Sequence, residues 1–178
     1  MPFSADYGDV NVQGSFNKFF QDNITAYGLP SWITGVSVYF DFPDQGLTAF
    51  PSFSVVHMNK IQRNVAQGRI VRGTPMQSGM WNDGLVDISC WASTRRSGGA
   101  YNNSAMLQMR SMRDMVMNVM HSASGIHIRN IYADTANPTS LSALIRIRDI
   151  EEMPTPTDPD PSIRRSRMLV SYYYLERW

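Results

Sequence analysis

The sequence predicts an α+β fold of a single domain over 1–178, with a mainly antiparallel (mixed) sheet flanked by two helices. Two segments, 16–27 and 105–122, carry apolar residues at helical spacing. Several other segments alternate apolar and polar residues, as half-buried strands do. A chain of 178 residues with 43% hydrophobic residues is long and apolar enough to bury one sizeable core.

The first predicted helix follows a segment without periodicity. Residues 1–14 show no helical or strand pattern, so we expect them to form a flexible or partner-binding arm. Ser15 is suited to cap a helix over 16–27, and Gly28 is suited to end it. The apolar residues at helical spacing are Phe16, Phe19, Phe20, Ile24 and Tyr27.

Strands are predicted next. Residues 32–42 and 50–58 alternate in polarity, and we expect them to pair as a hairpin with a long connection. A short strand over 69–72 is indicated in a less regular region. Gly84 is predicted to lie in a turn, and 85–92 is a strong strand pattern.

The second predicted helix runs over 105–122, with Ser104 as its cap. One stripe of this helix is apolar and is expected to pack on the sheet. It consists of Met109, Met112, Val116, Val119 and Met120, and the residues on the opposite side are Gln108, Ser111, Asp114 and Asn118.

Three strands are predicted after this helix. They cover 126–132, 141–150 and 167–176, and the last two are expected to pair in antiparallel fashion. Residues 151–161 between them contain four prolines, which remove backbone donors and block regular pairing. We therefore predict an exposed, partner-facing loop over 151–161.

The composition excludes several classes of protein. With 16 basic and 15 acidic residues the net charge is +1, whereas a dedicated nucleic-acid binder usually has a clearly basic surface. The single cysteine excludes a disulfide framework within one chain and a zinc site built from several cysteines. No apolar run is long enough to span a bilayer, and the first residues do not resemble a signal peptide.

Motifs of catalysis or cofactor binding are absent from the sequence. It contains no phosphate-binding glycine loop, no HExxH and no GxSxG. The three histidines, His57, His121 and His127, do not form a recognisable ligand set, and Cys90 in an apolar strand is interpreted as a small core residue. We therefore predict no enzyme, no cofactor and no metal.

Two basic clusters and the aromatic C-terminal stretch are the candidate interface. Arginine is enriched where a cation makes bidentate contacts, and tyrosine and tryptophan are enriched at binding hot spots. The alternative is a solvated loop for each basic cluster and a last strand buried on both faces for the tyrosines. The candidate residues are Arg95, Arg96, Arg164, Arg165, Arg167, Tyr172, Tyr174 and Trp178.

The order of these segments resembles that of the tail terminator proteins of long-tailed bacteriophages. The resemblance rests on the strand 50–56, the strand 84–92 that precedes the long helix, and the closing strand 168–174. It implies a hexameric ring that caps the tail tube at its head-proximal end and joins it to the connector. A closed ring of this kind uses a heterologous contact between two unlike surfaces of each subunit.

The resemblance also implies partners and a location. The expected partners are further copies of the chain, the tail tube protein and the head-tail connector or neck proteins. DNA would only pass through the lumen of the ring, and neither a small-molecule substrate nor a membrane is expected. The expected location is the tail-head junction of the virion, after assembly in the host cytoplasm. The alternatives are another neck component, such as a tail-completion or head-closure protein, and a small α+β ligand-binding domain.

Overall fold

The computed structural model describes residues 8–23, 33, 36–39, 50–64, 79–94, 105–123, 125–131, 139–154 and 163–177. The prediction of an α+β fold is confirmed, with two helices and a mixed sheet that is strongly curled. The elements are α1 (Asp9–Asn23), β1 (Ser37–Tyr39), β2 (Ser52–Asn64), β3 (Gly79–Ser93), α2 (Ala105–Ser122), β4 (Ile126–Arg129), β5 (Ser140–Met153) and β6 (Ile163–Arg177).

The described strands form one six-stranded sheet in the order β1-β2-β3-β6-β5-β4. Every pair is antiparallel except β1 and β2, which run parallel from the pair Ser37 and Ser52 to the pair Tyr39 and Ser54. The hairpin expected for these two strands is therefore wrong. Alternation along a strand decides which residues face the core, but it carries no information about strand direction.

Strands β3 and β6 form the long centre of the sheet. They pair without a break from Gly79 opposite Arg177 to Ser93 opposite Ile163. The turn expected at Gly84 is wrong, because Gly84 lies within β3 opposite Tyr172. The basic cluster that starts at Arg164 is likewise part of a strand and not of a loop.

Strand β5 changes partner along its length. Its first part, from Ser140 to Ile145, pairs with β4, and its second part, from Arg146 to Met153, pairs with β6. The predicted antiparallel pairing of β5 with the last strand is confirmed. The predicted loop over 151–161 is partly wrong, because residues 151–153 belong to β5; residues 155–161 lie outside the described residues.

Helix α1 begins at Asp9, so the arm expected over 1–14 is wrong for its second half. Asn11, Val12 and Gly14 are buried in this helix. The sequence shows no apolar repeat in the first turns of α1, because polar residues such as Asn11 and Ser15 occupy part of its buried side. Residues 1–7 and the predicted helical residues 24–27 lie outside the described residues.

Polar side chains of α1 accept backbone hydrogen bonds from the end of β4 and from Ile131 just beyond it. The backbone N–H of Arg129 donates to Ser15 Oγ at 2.8 Å, and that of Ile131 donates to Asn11 Oδ1 at 2.8 Å. On the opposite side of the helix, Gln13 Nε2 donates to the carbonyl of Val55 in β2 at 3.0 Å. The helix thus bridges strands that lie far apart in the sheet order, which the curl of the sheet makes possible.

Helix α2 is confirmed over Ala105–Ser122, and its predicted apolar stripe is buried. One position was wrong: Gln108 was expected on the polar side and is only 2% exposed. Both helices share one hydrophobic core with the same face of the sheet. Within it the ring of Phe20 stacks on Phe53 at 6.2 Å between centroids, and each large apolar side chain buried there contributes about 1.5–3 kcal/mol.

Candidate functional site

The face of the sheet opposite the helices carries arginine and aromatic side chains; we call it the outer face. Along β3 and β6, alternate residues such as Ile88 and Met168 enter the core, so the residues between them point to the outer face. The outer-face residues of these two strands are Trp81, Asp83, Leu85, Asp87, Ser89 and Trp91 in β3, and Arg165, Arg167, Leu169, Ser171, Tyr173 and Leu175 in β6.

At one end of the outer face an arginine covers a tryptophan. Arg165 and Trp91 are cross-strand partners, and the guanidinium carbon lies 4.4 Å from the centroid of the indole ring. Arg165 donates from Nε and Nη2 to Ser89 Oγ at 3.2 and 2.9 Å. The indole N–H of Trp91 donates to Ser54 Oγ at 3.0 Å. Both large side chains are therefore held in fixed orientations.

Beside this pair lies a buried carboxylate. Asp87 is 1% exposed, and Ser89 Oγ donates to its Oδ1 at 2.9 Å. Arg167 donates from Nε to Asp87 Oδ2 at 2.8 Å, and its Nη2 forms a second contact with the same oxygen. Because a buried charge is tolerated only when it is paired and hydrogen-bonded, Arg167 is held in place as firmly as Asp87.

The other end of the outer face is aromatic. Trp81 and Tyr173 stack with centroids 5.0 Å apart and an interplanar angle of 15°. The guanidinium carbon of Arg148 from β5 lies 5.4 Å from the centroid of Tyr173, and its Nη2 donates to Asp83 Oδ1 at 2.6 Å. Ile61 of β2, the partner of Asp83, adds an aliphatic side chain that is 52% exposed.

A cavity of about 420 Å³ opens at the aromatic end, where β5 leaves β6 to pair with β4. Trp81, Leu144, Arg146, Tyr173 and Leu175 are among the residues that line it. The walls combine flat apolar rings with one guanidinium group. Such a recess fits an apolar or aromatic side chain of a partner better than a reacting substrate.

Two of the predicted interface residues lie together on the outer face, and the others do not. Arg165 and Arg167 lie side by side on the outer face, and Arg164 is exposed with Nη1 donating to the carbonyl of Ile163. Tyr172 and Tyr174 are each 1% exposed, so the interface expectation is wrong for them. The alternative, a last strand buried on both faces, holds for the core face only, because Tyr173 is half-buried on the outer face. Arg95, Arg96 and Trp178 lie outside the described residues.

Sequence reasoning missed four residues of the outer face: Trp81, Trp91, Arg148 and Tyr173. Trp81 was missed because β3 was expected to start after Gly84. Arg148 lies on the face that simple alternation assigns to it, but its contacts with Tyr173 and Asp83 depend on how the strands pair. Tyr173 stands between two buried tyrosines, so strand alternation alone could have assigned it to the opposite face.

The histidine of β2 is half-buried and the cysteine of β3 is buried. His57 Nε2 lies 2.7 Å from the hydroxyl of Tyr172, and burial lowers the pKa of His57, with Asp9 opposing and Lys60 reinforcing that shift. Burial raises the pKa of the Cys90 thiol, which is fully enclosed in the core. The prediction that Cys90 is a core residue is confirmed.

In the part of the chain that the structure describes, no three His, Cys, Asp or Glu side chains are grouped so that they could bind a metal ion. Neither of the described helices is long and apolar enough to cross a bilayer. A comparison with protein-family models finds no match, and a comparison with curated proteins finds none either.

Proposed function

We propose that this chain is a structural assembly protein of a phage tail, a tail terminator whose copies close into a hexameric ring. In the virion the ring would cap the tail tube at its head-proximal end and join it to the connector. The observation that carries the proposal is the outer face, where stacked Trp81 and Tyr173 and three held arginines form a broad surface of the residue types that dominate protein interfaces.

The charges of the outer face favour a protein partner. Arg167 is paired with Asp87 and Arg148 with Asp83, so a partner would not leave these cations without counter-charges when it excludes water. The aromatic rings between them are rigid and supply contact area at a small cost in side-chain entropy. A surface of this kind is suited to a specific contact with another folded surface.

A second, unlike surface lies on the helical side of the molecule. Met106 and Leu107, in the first turn of α2, are 39% and 46% exposed. Because α2 covers the face of the sheet opposite Tyr173, these two apolar surfaces are on different sides of the subunit. Two unlike surfaces on different sides are what a heterologous, ring-closing contact requires.

Native mass spectrometry and negative-stain electron microscopy of the purified full chain, alone and with tail tube protein, test the proposal. We expect a six-membered ring in the presence of tube protein. Arg148→Glu on the outer face and Leu107→Asp on α2 should each reduce the ring fraction at least about tenfold, since each puts an uncompensated charge into the contact. Asn118→Glu, which adds a carboxylate at an exposed position of α2, is the matched control.

Location distinguishes a tail terminator from another neck component. Gold labelling of the chain in assembled particles should mark the head-proximal end of the tail tube, and tubes assembled without the chain should vary in length. A label confined to the head side of the junction would assign the chain to head closure instead. A chain that stays monomeric with tube protein would refute the assembly role.

A further inference from the structure

A side chain of α1 occupies a backbone hydrogen-bonding position at the edge of β2. Gln13 Nε2 donates to the carbonyl oxygen of Val55 at 3.0 Å, and the backbone N–H of His57 donates to Gln13 Oε1 at 3.3 Å. Val55 and His57 flank Val56 in the strand. A residue of a neighbouring parallel strand forms the same two bonds, one with its N–H and one with its C=O. The Gln13 carboxamide therefore replaces a strand residue opposite Val56.

This position is the next one in the ladder between β1 and β2. The N–H of Ser37 donates to the carbonyl of Pro51 at 3.2 Å, so the odd-numbered residues of β2 direct their backbone groups towards β1. The described part of β1 ends at Tyr39, opposite Ser54. Equivalent positions in a ladder recur every two residues, so the next one falls at the two groups that Gln13 bonds. The helix thus continues the ladder with a side chain.

Other contacts hold α1 beside this edge. Asp9 Oδ1 lies 3.2 Å from Lys60 Nζ in β2, and the ring of Phe20 stacks on Phe53. On its other side the helix accepts a backbone hydrogen bond from the end of β4. A substitution at residue 13 therefore removes the two bonds to β2 and leaves these anchors of the helix in place.

The segment of β2 at this position has the composition of a self-pairing strand. Residues 53–58 include a phenylalanine and two valines and contain no Pro, Gly, Asp, Glu, Lys or Arg. Segments of six or seven residues with high β propensity and low charge stack on identical segments of other chains when they are exposed on an edge. Met58 is 51% exposed, so the segment reaches the surface. The partner that suits such an edge is the same segment of a second copy.

We infer that Gln13 blocks the edge of β2, and that this edge is a latent self-pairing site for residues 53–58 of a second copy. While the carboxamide is in place, the carbonyl of Val55 and the N–H of His57 are engaged by the helix. Displacement of the carboxamide frees both groups within an uncharged segment that favours β structure. The inference concerns the free chain, and no part of it rests on the proposed function.

Hydrogen exchange of the His57 amide measures the block directly. Gln13→Met keeps the length of the side chain but lacks the amide donor and acceptor. In this variant the His57 amide should exchange at least about tenfold faster than in the unmodified chain, while the amides that pair β3 with β6 keep their rates. Gln21→Met makes the same substitution at an exposed position of α1 and should change the His57 rate by less than about twofold. Equal rates in the two variants would refute the block.

The unmodified chain provides a test that does not depend on the folding of a variant. One side-chain N–H of Gln13 donates to Val55, so it should exchange at least about tenfold more slowly than the side-chain N–H groups of the exposed Gln21. Equal exchange of the two carboxamides would also refute the block.

Thioflavin T fluorescence of the folded chain measures self-pairing. Gln13→Met should form fibrils with a lag time at least about tenfold shorter than that of Gln21→Met. Adding Met58→Lys places a charge at an exposed position of 53–58 and should restore the lag time to within about twofold of that of Gln21→Met, with the His57 amide still exchanging fast. Ser15→Ala, which removes a hydrogen bond between α1 and β4, is the control for a loosened helix and should shorten the lag time by less than about twofold.

Two results would overturn the self-pairing site. They are a lag time of Gln13→Met equal to that of Gln21→Met, and fibrils that form equally fast with and without Met58→Lys. Ring formation is measured separately, with tube protein and with substitutions at residues 107 and 148. The ring proposal and this inference can therefore fail independently of each other.

Discussion

Gly84 lies against the hydroxyl end of Tyr172, so closely that a side chain on residue 84 would occupy the space of the phenol. The carbonyl oxygen of Asn59 stands 2.8 Å from the position that a Cβ would take, so the neighbouring strand also blocks it. The same hydroxyl lies 2.7 Å from His57 Nε2. Glycine at this position therefore allows β2, β3 and β6 to share one buried polar contact.

Gly84→Ala is expected to destabilise the fold by about 1–3 kcal/mol, because the phenol and a strand backbone must move to admit the methyl group. Urea unfolding followed by circular dichroism measures the loss. Gly125→Ala is the control, because its Cβ would meet only the flexible end of Leu144 and should cost less. Equal losses in the two variants would contradict this account of Gly84.

The stability of the protein is expected to fall as the pH falls below about 6.5, in part because of His57. Burial, the largest cause, lowers the pKa of His57 in the folded protein, so the unfolded chain binds this proton at a higher pH than the folded one. The stabilisation is complete above the unfolded pKa and is lost as the pH falls through the folded pKa.

Unfolding free energies measured from pH 8 to pH 5 test this expectation. His57→Gln should flatten the dependence, because it removes the group whose pKa is lowered by burial. A pH dependence that is identical in the His57→Gln variant and the unmodified chain would show that other groups cause it.

Met112→Asp is expected to abolish folding. The side chain of Met112 is 0% exposed between α2 and the sheet, and an unpaired carboxylate there would cost several kcal/mol, about the stability of a small domain. Leu107→Asp on the same helix, at a position that is 46% exposed, should fold normally. Circular dichroism and thermal unfolding measure both. A folded Met112→Asp variant would show that α2 can leave the sheet.

Arg167→Met is expected to destabilise the protein by about 2–3 kcal/mol, because it leaves the buried carboxylate of Asp87 without its cation. Arg110→Met, at an exposed position of α2, should change the unfolding free energy by less than about 0.5 kcal/mol. Adding Asp87→Asn to Arg167→Met should recover part of the loss. If the combined variant were the less stable of the two, the interpretation of this pair would be wrong.

The sequence predicts elements well where periodicity is continuous and poorly where polar residues are buried. Helix α2 was predicted to the residue because its stripe of methionine and valine is unbroken. The first two turns of α1 were missed because Asn11 and Ser15 are buried by hydrogen bonds to β4 and not by apolar contacts. Such partners are more than a hundred residues distant, so no local pattern reveals them.

The contacts of the outer face were also only partly predictable from the sequence. Arg165 and Arg167 were predicted as candidates from their residue type, but their partners Trp91 and Asp87 follow only from the register of β3 against β6. Tyr172 and Tyr174 are of a residue type that is common at interfaces, but they lie in the core. Alternation places Tyr173 on the face opposite to its two neighbours, but three consecutive tyrosines do not show which of the two faces is buried.

The hydrogen bonds from α1 to β4 impose an order on folding. Asn11 and Ser15 meet Ile131 and Arg129 across 120 and 114 residues, and Phe16 packs on Tyr172 of β6. During synthesis α1 leaves the ribosome before β4 and β6, which are made more than a hundred residues later, so these contacts form only after both strands have emerged. Until then Phe20 can pack only on Phe53 of β2, and Phe16 lacks its native partner, so this side of the helix is exposed to aggregation.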